Sequence, residues 1–228
     1  ARKLVEGSDR VLPTYPQELS ESARRQLAGL GVEVRTGTLV TDIDQRGVRV
    51  ADEVIAAGNV FWAAGVAASP LGAAVGGPLD RAGRVRVEPD CSVPGRPDIF
   101  VIGDLAHIEQ DGETLPGVAQ VAIQTGRHAA RMIRADRVGK ERSSFRYDEK
   151  GSLATIGRNA AVADFGRLRF GGFVAGLLWV FVHILYLIGF RNRILVMIQW
   201  AWAWLSYQRG IRLITGHPDV PIERSRGT

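Results

Sequence analysis

The 228-residue sequence predicts an α/β fold with an apolar region near its C-terminal end, and three observations support this prediction. Over the first sixty residues, short runs rich in Val, Ile and Thr alternate with one helical segment. The runs NVFWAAG and PDIFVIGDLA have continuous apolar centres, which are typical of strands covered on both faces, as in parallel sheets. Residues 171–190, GGFVAGLLWVFVHILYLIGF, include no Asp, Glu, Lys or Arg.

The N-terminal elements follow from these patterns in chain order. KLV begins the first strand, and YPQELSESARRQLAGLG predicts a helix that begins after Pro16 and ends at Gly29 or Gly31. VEVRTGTLVTDIDQRGVRV alternates as hairpin strands do, and NVFWAAG follows as a buried strand. RVRVEPD predicts another strand, and PDIFVIGDLA predicts a second buried strand that stops at Gly103 and Asp104.

The remaining elements are helices with a strand-rich segment between them. ETLPGVAQVAIQTGRHAARMIR predicts a helix with Thr114 as its N-cap and Pro116 in its first turn, where a missing N–H costs nothing. FRYDEKGSLATIGRNAAVADFG predicts short strands and turns. Two apolar helices, separated at GFRNR, complete the pattern.

Composition and charge place the chain among globular proteins, with 46% apolar residues and a net charge of +5. Residues 165–218 contain six Arg and no Asp or Glu, and these Arg flank the most apolar segments. This placement favours anionic lipid headgroups over nucleic acid as their partners. The six are Arg167, Arg169, Arg191, Arg193, Arg209 and Arg212.

Cys91 is the only cysteine in the sequence, so an internal disulfide, a CxxC redox pair and a cysteine-based zinc site are excluded. We expect Cys91 to behave as a small buried hydrophobic residue. The four histidines share no metal-ligand spacing, and we expect no metal site.

A Gly-Asp pair ends the run IFVIGDLA. Gly103 would let a ligand approach the bare backbone at the strand's carboxyl end, and Asp104 would supply an acceptor for a sugar or ribityl hydroxyl. The alternative is a plain strand-to-turn transition with a solvated Asp104.

Two glutamines four residues apart mark the segment PGVAQVAIQTG. On a helix, Gln120 and Gln124 share one face, and small neighbours such as Ala119 leave room for a flat ligand. The N-terminus of that helix would favour negative charge on a reduced ring system. The alternative is an exposed polar face with small-residue packing.

Two further candidates lie in the first third of the chain. FWAAGVAASPL, which includes Gly65, would let two chain segments cross close to a nucleotide, although a tightly packed connection is an equal alternative. Glu6, at the end of a predicted strand, could bind adenosine ribose hydroxyls and thereby favour NAD over NADP, or it could be a surface acid.

Taken in order, several segments closely resemble the C-terminal half of type II NADH dehydrogenases, the single-subunit NADH:quinone oxidoreductases of the two-dinucleotide-binding-domain flavoproteins. They are LVEGSDRVLPTYPQELSESARRQLAGLGVEVRTGTLVTDI, FWAAGVAASPLG, IFVIGDLA, LPGVAQVAIQTG, GSLATIGRNAAVADFG and GFRNRILVMIQWAWAWLSYQRGIRLITG. The resemblance implies an FAD cofactor and NADH as co-substrate. It also implies two-electron reduction of a membrane quinone without proton pumping, with no side chain acting as a nucleophile.

The resemblance also implies roles for individual residues. By this resemblance, Gly103 and Asp104 are expected to bind FAD, and Gln120 and Gln124 are expected to line the place where quinone meets the flavin. The set expected to bind cofactor is Gly103, Asp104, Ala119, Gln120, Glu6 and Gly65. A homodimer on the cytoplasmic side of the cell membrane is a further implication.

The sequence departs from this family pattern in one respect, since it contains no G-x-G-x-x-G turn for a dinucleotide. The N-terminal Rossmann halves are therefore missing from the predicted architecture. Its parts are the end of an NADH-binding domain at 1–68, the returning part of an FAD-binding domain at 69–143 and a membrane-binding region at 144–228. The rival hypothesis is a non-catalytic membrane-anchoring or interaction module derived from such a flavoprotein.

The apolar C-terminal segment could lie on a membrane, span it or fill a core. Twenty uncharged residues are long enough to span, but Trp and Tyr beside Arg favour the headgroup level. We expect amphipathic helices at the interface of a peripheral, monotopic protein. The residues expected to bind membrane are Trp179, Trp200, Trp204, Arg191, Arg193 and Arg209.

Overall fold

A computed structural model describes residues 1–187 and 189–206. Their helices are α1 (Gln17–Gly29), α2 (Leu71–Val75), α3 (Ala119–Arg137), α4 (Phe173–Tyr186) and α5 (Phe190–Leu205). Their strands are β1 (Arg2–Val5), β2 (Val32–Arg35), β3 (Val40–Asp44), β4 (Gly47–Val50), β5 (Glu53–Ala56), β6 (Val85–Arg86), β7 (Ser92–Val93), β8 (Arg96–Phe100), β9 (Ala106–His107), β10 (Glu109–Gln110), β11 (Glu113–Thr114), β12 (Ser152–Gly157), β13 (Ala160–Asp164) and β14 (Arg169–Gly171).

Short sheets connect these elements, and two of the sheets are parallel. β1 pairs with β2 and β6 pairs with β9, in each case in parallel. β3, β4 and β5 form one antiparallel sheet, and β12, β13 and β14 form another. The predicted α/β class is confirmed. β2 joins β1 rather than the hairpin that follows it, so only β3 and β4 form the predicted hairpin strands, and β5 adds a third strand that was not predicted.

Helix α1 forms where it was predicted. Pro16 is its N-cap, with φ −53° and ψ 147°, and a proline there loses no helical hydrogen bond. Leu19 and Ala23 lie on one side and are buried against Val11 and Val162. Residues from the N-terminal and C-terminal ends of the sequence therefore share one hydrophobic core.

Two smaller cores complete the packing. Val85, Val93, Val101 and Ala106 form one beneath the parallel β6–β9 pair. The other is formed by Ala161 and Ala163 of β13 with Ala175 of α4, all fully buried, so that the apolar helix lies directly on the sheet. Alanines at these positions allow helix and strand to approach closely.

The prediction of a buried strand at NVFWAAG is wrong. This run forms no strand, and the side chains of Phe61 and Trp62 are 93% and 65% exposed. A buried strand needs a hydrogen-bonded neighbour on each side and cover on both faces. The described residues place neither beside this run.

PDIFVIGDLA forms a strand as predicted, but the strand is not buried as predicted. Its strand, β8, pairs on one side only, with β7, and its first three residues are exposed. The RVRVEPD strand is also shorter than predicted, since β6 contains only two residues.

Helix α3 begins later than predicted. Thr114 lies in β11, paired with Glu109 of β10, and the N-cap is Val118. Asp111 and Gly112 both have positive φ, at 55° and 85°, as the two-residue turn of a β-hairpin requires. The Asp-Gly turn places Thr114 in the hairpin and makes it unavailable for capping the helix.

Helices α4 and α5 occupy the apolar segment, with 14 and 16 residues. Within residues 1–187 and 189–206, no helix is both long and apolar enough to cross a membrane.

Candidate active site

A cleft of about 470 Å³ opens where three short segments meet. They are residues 66–69, residues 103–106 after β8, and residues 115–117 just before α3. Ligand pockets usually have volumes of about 300 to 1,000 Å³, so the cleft can hold part of a large cofactor. It contains the predicted Gly103 and Asp104.

Gly103 packs against α3 in a conformation that favours glycine. Its φ is +62°, and a Cβ at this position would lie 3.2 Å from the Cβ of Ala122. Both the backbone conformation and the close helix therefore require a residue without a side chain. This contact fixes the turn beside the first turns of α3.

Thr125 holds the same turn from the helix side. Its side chain is fully buried, and its Oγ1 accepts a hydrogen bond from the Gly103 N–H at 3.3 Å. The hydroxyl donates to the Val121 carbonyl at 2.8 Å. Sequence reasoning missed Thr125 because its partner lies 22 residues away along the chain.

Asp104 lies at the opening between this turn and α3. A Cβ on Gly117 would lie 3.5 Å from Asp104 Oδ1, so Gly117 leaves the carboxylate room to approach the backbone before the helix. The Asp104 side chain is exposed, with its carboxylate on the cleft wall.

The N-terminus of α3 has no side-chain cap. Val118 is the N-cap, and the first turn holds no acidic residue. Its free N–H groups and the helix dipole therefore create a positive potential beside Asp104.

An ionic network surrounds Arg84 on the wall of the cleft. Arg84 lines the cleft and donates through Nε to Asp80 Oδ2 at 2.7 Å. His107 lies 2.9 Å from the same oxygen and 2.8 Å from Glu109. Burial alone would raise the pKa of Asp80, but hydrogen bonds from Arg84 and His107 outweigh it and hold that pKa well below its usual range. Arg84 was not predicted as a site residue, although it begins the alternating run RVRVEPD, two residues before Arg86.

The two predicted glutamines lie on α3, on one face, as expected. Each clamps the extended segment at residues 148–151. Gln120 donates to the Gly151 carbonyl at 2.9 Å and accepts from the Lys150 N–H at 3.3 Å. Gln124 donates to the Asp148 carbonyl at 2.9 Å and accepts from its N–H at 3.0 Å.

A third glutamine does the same outside α3. Gln110 accepts from the Tyr147 N–H at 2.8 Å and donates to the Tyr147 carbonyl at 3.4 Å. Three side-chain amides thus replace a neighbouring strand for this segment, a role that the sequence did not predict.

Gln120 and Gln124 also line a second pocket of about 250 Å³. Its wall includes Ile123 and Tyr186, and Lys150 lies at its edge, paired with Asp148. The hydrogen bond to Asp148 raises the pKa of Lys150. The second pocket therefore combines polar amides, an apolar side and basic groups.

The other predicted cofactor residues lie at different distances from the cleft. Gly65 has φ +104° and directly precedes the cleft-lining segment 66–69. Ala119 is the exposed first residue of α3. Glu6 follows β1, where its carboxylate accepts from the Ser8 N–H at 2.8 Å, and it does not line the cleft.

The residues expected to bind membrane lie on α4 and α5. Trp179 stacks on Trp200, with ring centroids 5.6 Å apart, so these two rings join the helices. Trp204 donates to Asn159 Oδ1 at 3.1 Å and is 50% exposed. Arg193 donates to the Leu187 carbonyl at the end of α4.

The structure describes one of the two remaining arginines that are expected to bind membrane. Arg191 is exposed at the start of α5. Arg209 lies outside the described residues.

Comparison with known proteins supplies the family. The model of pyridine nucleotide-disulphide oxidoreductases matches residues 2–126, and the model of the NDH2 C-terminal domain matches residues 150–207. The chain belongs to the pyridine nucleotide-disulphide oxidoreductase family.

Its similar relatives within this family include two type II NADH:quinone oxidoreductases of Mycobacterium tuberculosis. The chain is 42% identical to Ndh over 224 residues and 40% identical to NdhA over 226 residues, with 93% of the chain covered in both cases. It spans about half of their length, 48% and 47%. The resemblance to type II NADH dehydrogenases is confirmed.

Solved structures show the same fold. NDH2 from Plasmodium falciparum, solved in complex with NADH, matches 92% of the chain with a TM-score of 0.78 at 18% identity. The match covers 59% of that protein. The pyridine nucleotide-disulphide oxidoreductase fold predicted for the chain is thereby confirmed.

Proposed function

We propose that the protein is part of an FAD-dependent NADH:quinone oxidoreductase that passes electrons from NADH to a membrane quinone without pumping protons. The observation that carries this proposal is the cleft beside α3, where Asp104 meets an uncapped helix N-terminus. The names of its M. tuberculosis relatives support the reaction type.

The residues of the cleft fit the ribityl and ring portion of FAD. Gly103 and Gly117 leave the backbone open, and Asp104 offers an acceptor for a hydroxyl group. The sequence contains no G-x-G-x-x-G turn, and we propose no pyrophosphate contacts from these 228 residues. When bound, FAD accepts a hydride from NADH and delivers two electrons to quinone.

The protein's own part in this reaction is to position the cofactor and the quinone and to adjust the electrostatic potential beside them. The N-terminus of α3 favours negative charge close to Asp104. Gln120 and Gln124 fix the segment at 148–151 and line the second pocket, which we assign to quinone. Glu6 contributes to NADH binding at the end of β1.

We propose that helices α4 and α5 bring this pocket to a membrane surface. Exposed side chains of α4 and α5, among them Phe173, Leu177, Trp202 and Trp204, form an apolar surface. We propose peripheral attachment to the cytoplasmic side of the cell membrane, with Trp179, Trp200, Arg191, Arg193 and Arg209 contributing. Homodimerisation and the division at residues 68 and 143 belong to the same proposal.

The quinone assignment is tested by steady-state turnover of the flavin-loaded holoenzyme. Gln120→Ala and Gln124→Ala should raise the KM for quinone and lower kcat, with little change in the KM for NADH. Gln110→Ala is the matched control, because it removes the same kind of amide–backbone clamp outside the second pocket. Equal effects of all three substitutions would show that the glutamines only hold the segment.

The rival hypothesis, a non-catalytic membrane module, makes the opposite prediction. A holoenzyme that binds membranes but shows no NADH-dependent quinone reduction would favour the module and overturn the proposed reaction.

A further inference from the structure

The glutamine face of α3 continues into a pair of arginines. Gln120, Gln124, Arg127 and Arg131 follow at spacings of four, three and four residues, so they share one side of the helix. All four line the second pocket, and Tyr186 at the end of α4 lines it as well. The pocket is therefore lined both by two arginines of α3 and by the last residue of the apolar helix α4.

Two of the pocket's four cations already have carboxylate partners. Lys150 pairs with Asp148, and Arg146 pairs with Asp111 at 3.2 Å. For Arg127 and Arg131, no carboxylate lies within 4.0 Å among the described residues. Two positive charges on one helix face, four residues apart, are available to an anion.

A buried histidine on the same helix contacts Arg131 and orients its side chain. Its Nη2 lies 3.3 Å from Nδ1 of His128, whose side chain is 2% exposed and packs edge-on against Phe145 at 5.5 Å. Burial, and then the charge of Arg131, lower the pKa of His128 and so favour the neutral imidazole. A neutral imidazole can accept a hydrogen bond from the guanidinium, which holds Arg131 at the pocket wall.

An apolar stripe runs along α4 towards the second pocket. Phe173, Leu177, Phe181 and Leu185 recur every four residues and are 48% to 61% exposed. Tyr186 follows directly and lines the pocket. A molecule with an anionic head and long apolar chains matches both features at once, whereas an uncharged quinone leaves the two arginines without a counter-charge.

We propose that Arg127 and Arg131, which line the second pocket, bind the phosphate of an anionic phospholipid whose acyl chains lie along the apolar stripe of α4. Guanidinium groups suit this ligand because they bind phosphate oxygens in a bidentate geometry. The inference rests on the proposed membrane attachment of α4 and α5. It adds a specific headgroup site to a surface that would otherwise bind by apolar burial alone.

The test is flotation of the protein with phosphatidylcholine vesicles, with and without about 20% phosphatidylglycerol. Arg127→Gln with Arg131→Gln removes the site. The matched control, Arg134→Gln with Arg137→Gln, removes the same charge from the last turn of the same helix, outside the pocket. We expect phosphatidylglycerol to increase the vesicle affinity of the wild type and of the control variant. For the pocket variant, we expect this increase in affinity to be smaller by about tenfold or more.

Three outcomes would overturn the inference. If both double variants lose the gain equally, the effect is general charge attraction. If inorganic phosphate binds to the pocket but phosphatidylglycerol gives no gain, the site takes free phosphate rather than lipid. If the wild type binds neither kind of vesicle, the proposed membrane attachment is wrong and the inference falls with it. If all variants bind pure phosphatidylcholine vesicles, the attachment holds, and the gain from phosphatidylglycerol tests the headgroup site alone.

Discussion

The contact between Gly103 and α3 gives the sharpest test of how the cleft is built. Gly103→Ala forces an alanine into φ +62°, which costs about 1 to 2 kcal/mol for an L-residue. The new methyl group also lies 3.2 Å from Ala122 Cβ, and such overpacking costs about 1 to 3 kcal/mol. We expect the free energy of unfolding to fall by about 2 to 5 kcal/mol.

A second glycine separates the two costs. Gly95 has φ +73°, and a Cβ there would have no atom within 4 Å. Gly95→Ala should therefore cost only the backbone part, about 1 to 2 kcal/mol. The difference between the two variants measures the packing of the turn against the helix.

Urea unfolding with linear extrapolation measures these values. Ala122→Gly alone should lower the free energy of unfolding by about 1 kcal/mol, because glycine is unfavourable inside a helix. In the Gly103→Ala background the same substitution also relieves the overpacking, so the double-mutant cycle should show a favourable coupling energy equal to the packing cost. A Gly103→Ala variant no less stable than Gly95→Ala, or a cycle without coupling, would refute the proposed contact.

Three further predictions concern the network around the cleft. Thr125→Val keeps the side-chain volume but leaves the Gly103 N–H without its partner, so stability should fall by about 1 to 3 kcal/mol, whereas Thr114→Val, at an exposed hairpin position, should change little in the same urea titration. Because the folded pKa of Asp80 lies below its unfolded value of about 3.9, its contribution is fully present above that pH and is lost as pH falls through the folded pKa. Asp80→Asn should therefore lower stability at pH 7 and weaken the loss on acidification, and an unchanged acid profile would contradict this. The Cys91 thiol is 1% exposed and its pKa is raised to about 11 by burial, so it should resist alkylation at pH 8 in the folded protein and react in urea, while rapid labelling without urea would contradict its burial.

Local patterns in the sequence predicted the elements whose formation depends on near neighbours. The α1 helix begins at Pro16 as expected, and the spacing of Gln120 and Gln124 correctly placed them on one helix face. The Gly103–Asp104 turn likewise lies at a cleft, as its residues suggested.

The errors arise where distant residues decide the outcome. NVFWAAG has the composition of a buried strand, but burial depends on neighbours that a local pattern does not contain. Thr114 is a good N-cap residue, yet pairing with Glu109 across the Asp-Gly turn places it in a strand. The clamps made by the glutamines span 24 to 37 residues of sequence, so no local spacing reveals them.

The most direct test of the central claim is the visible absorption spectrum of the protein titrated with FAD, alone and within a longer chain that adds the glycine-rich folds expected upstream. We expect the longer chain to give a flavin spectrum that NADH bleaches under anaerobic conditions and quinone restores. Asp104→Ala should weaken FAD binding by about tenfold or more, and Asp98→Ala, at an exposed position of β8, should not. A longer chain that stays colourless with excess FAD, or that binds FAD equally well without Asp104, would contradict the assignment of this cleft to the flavin.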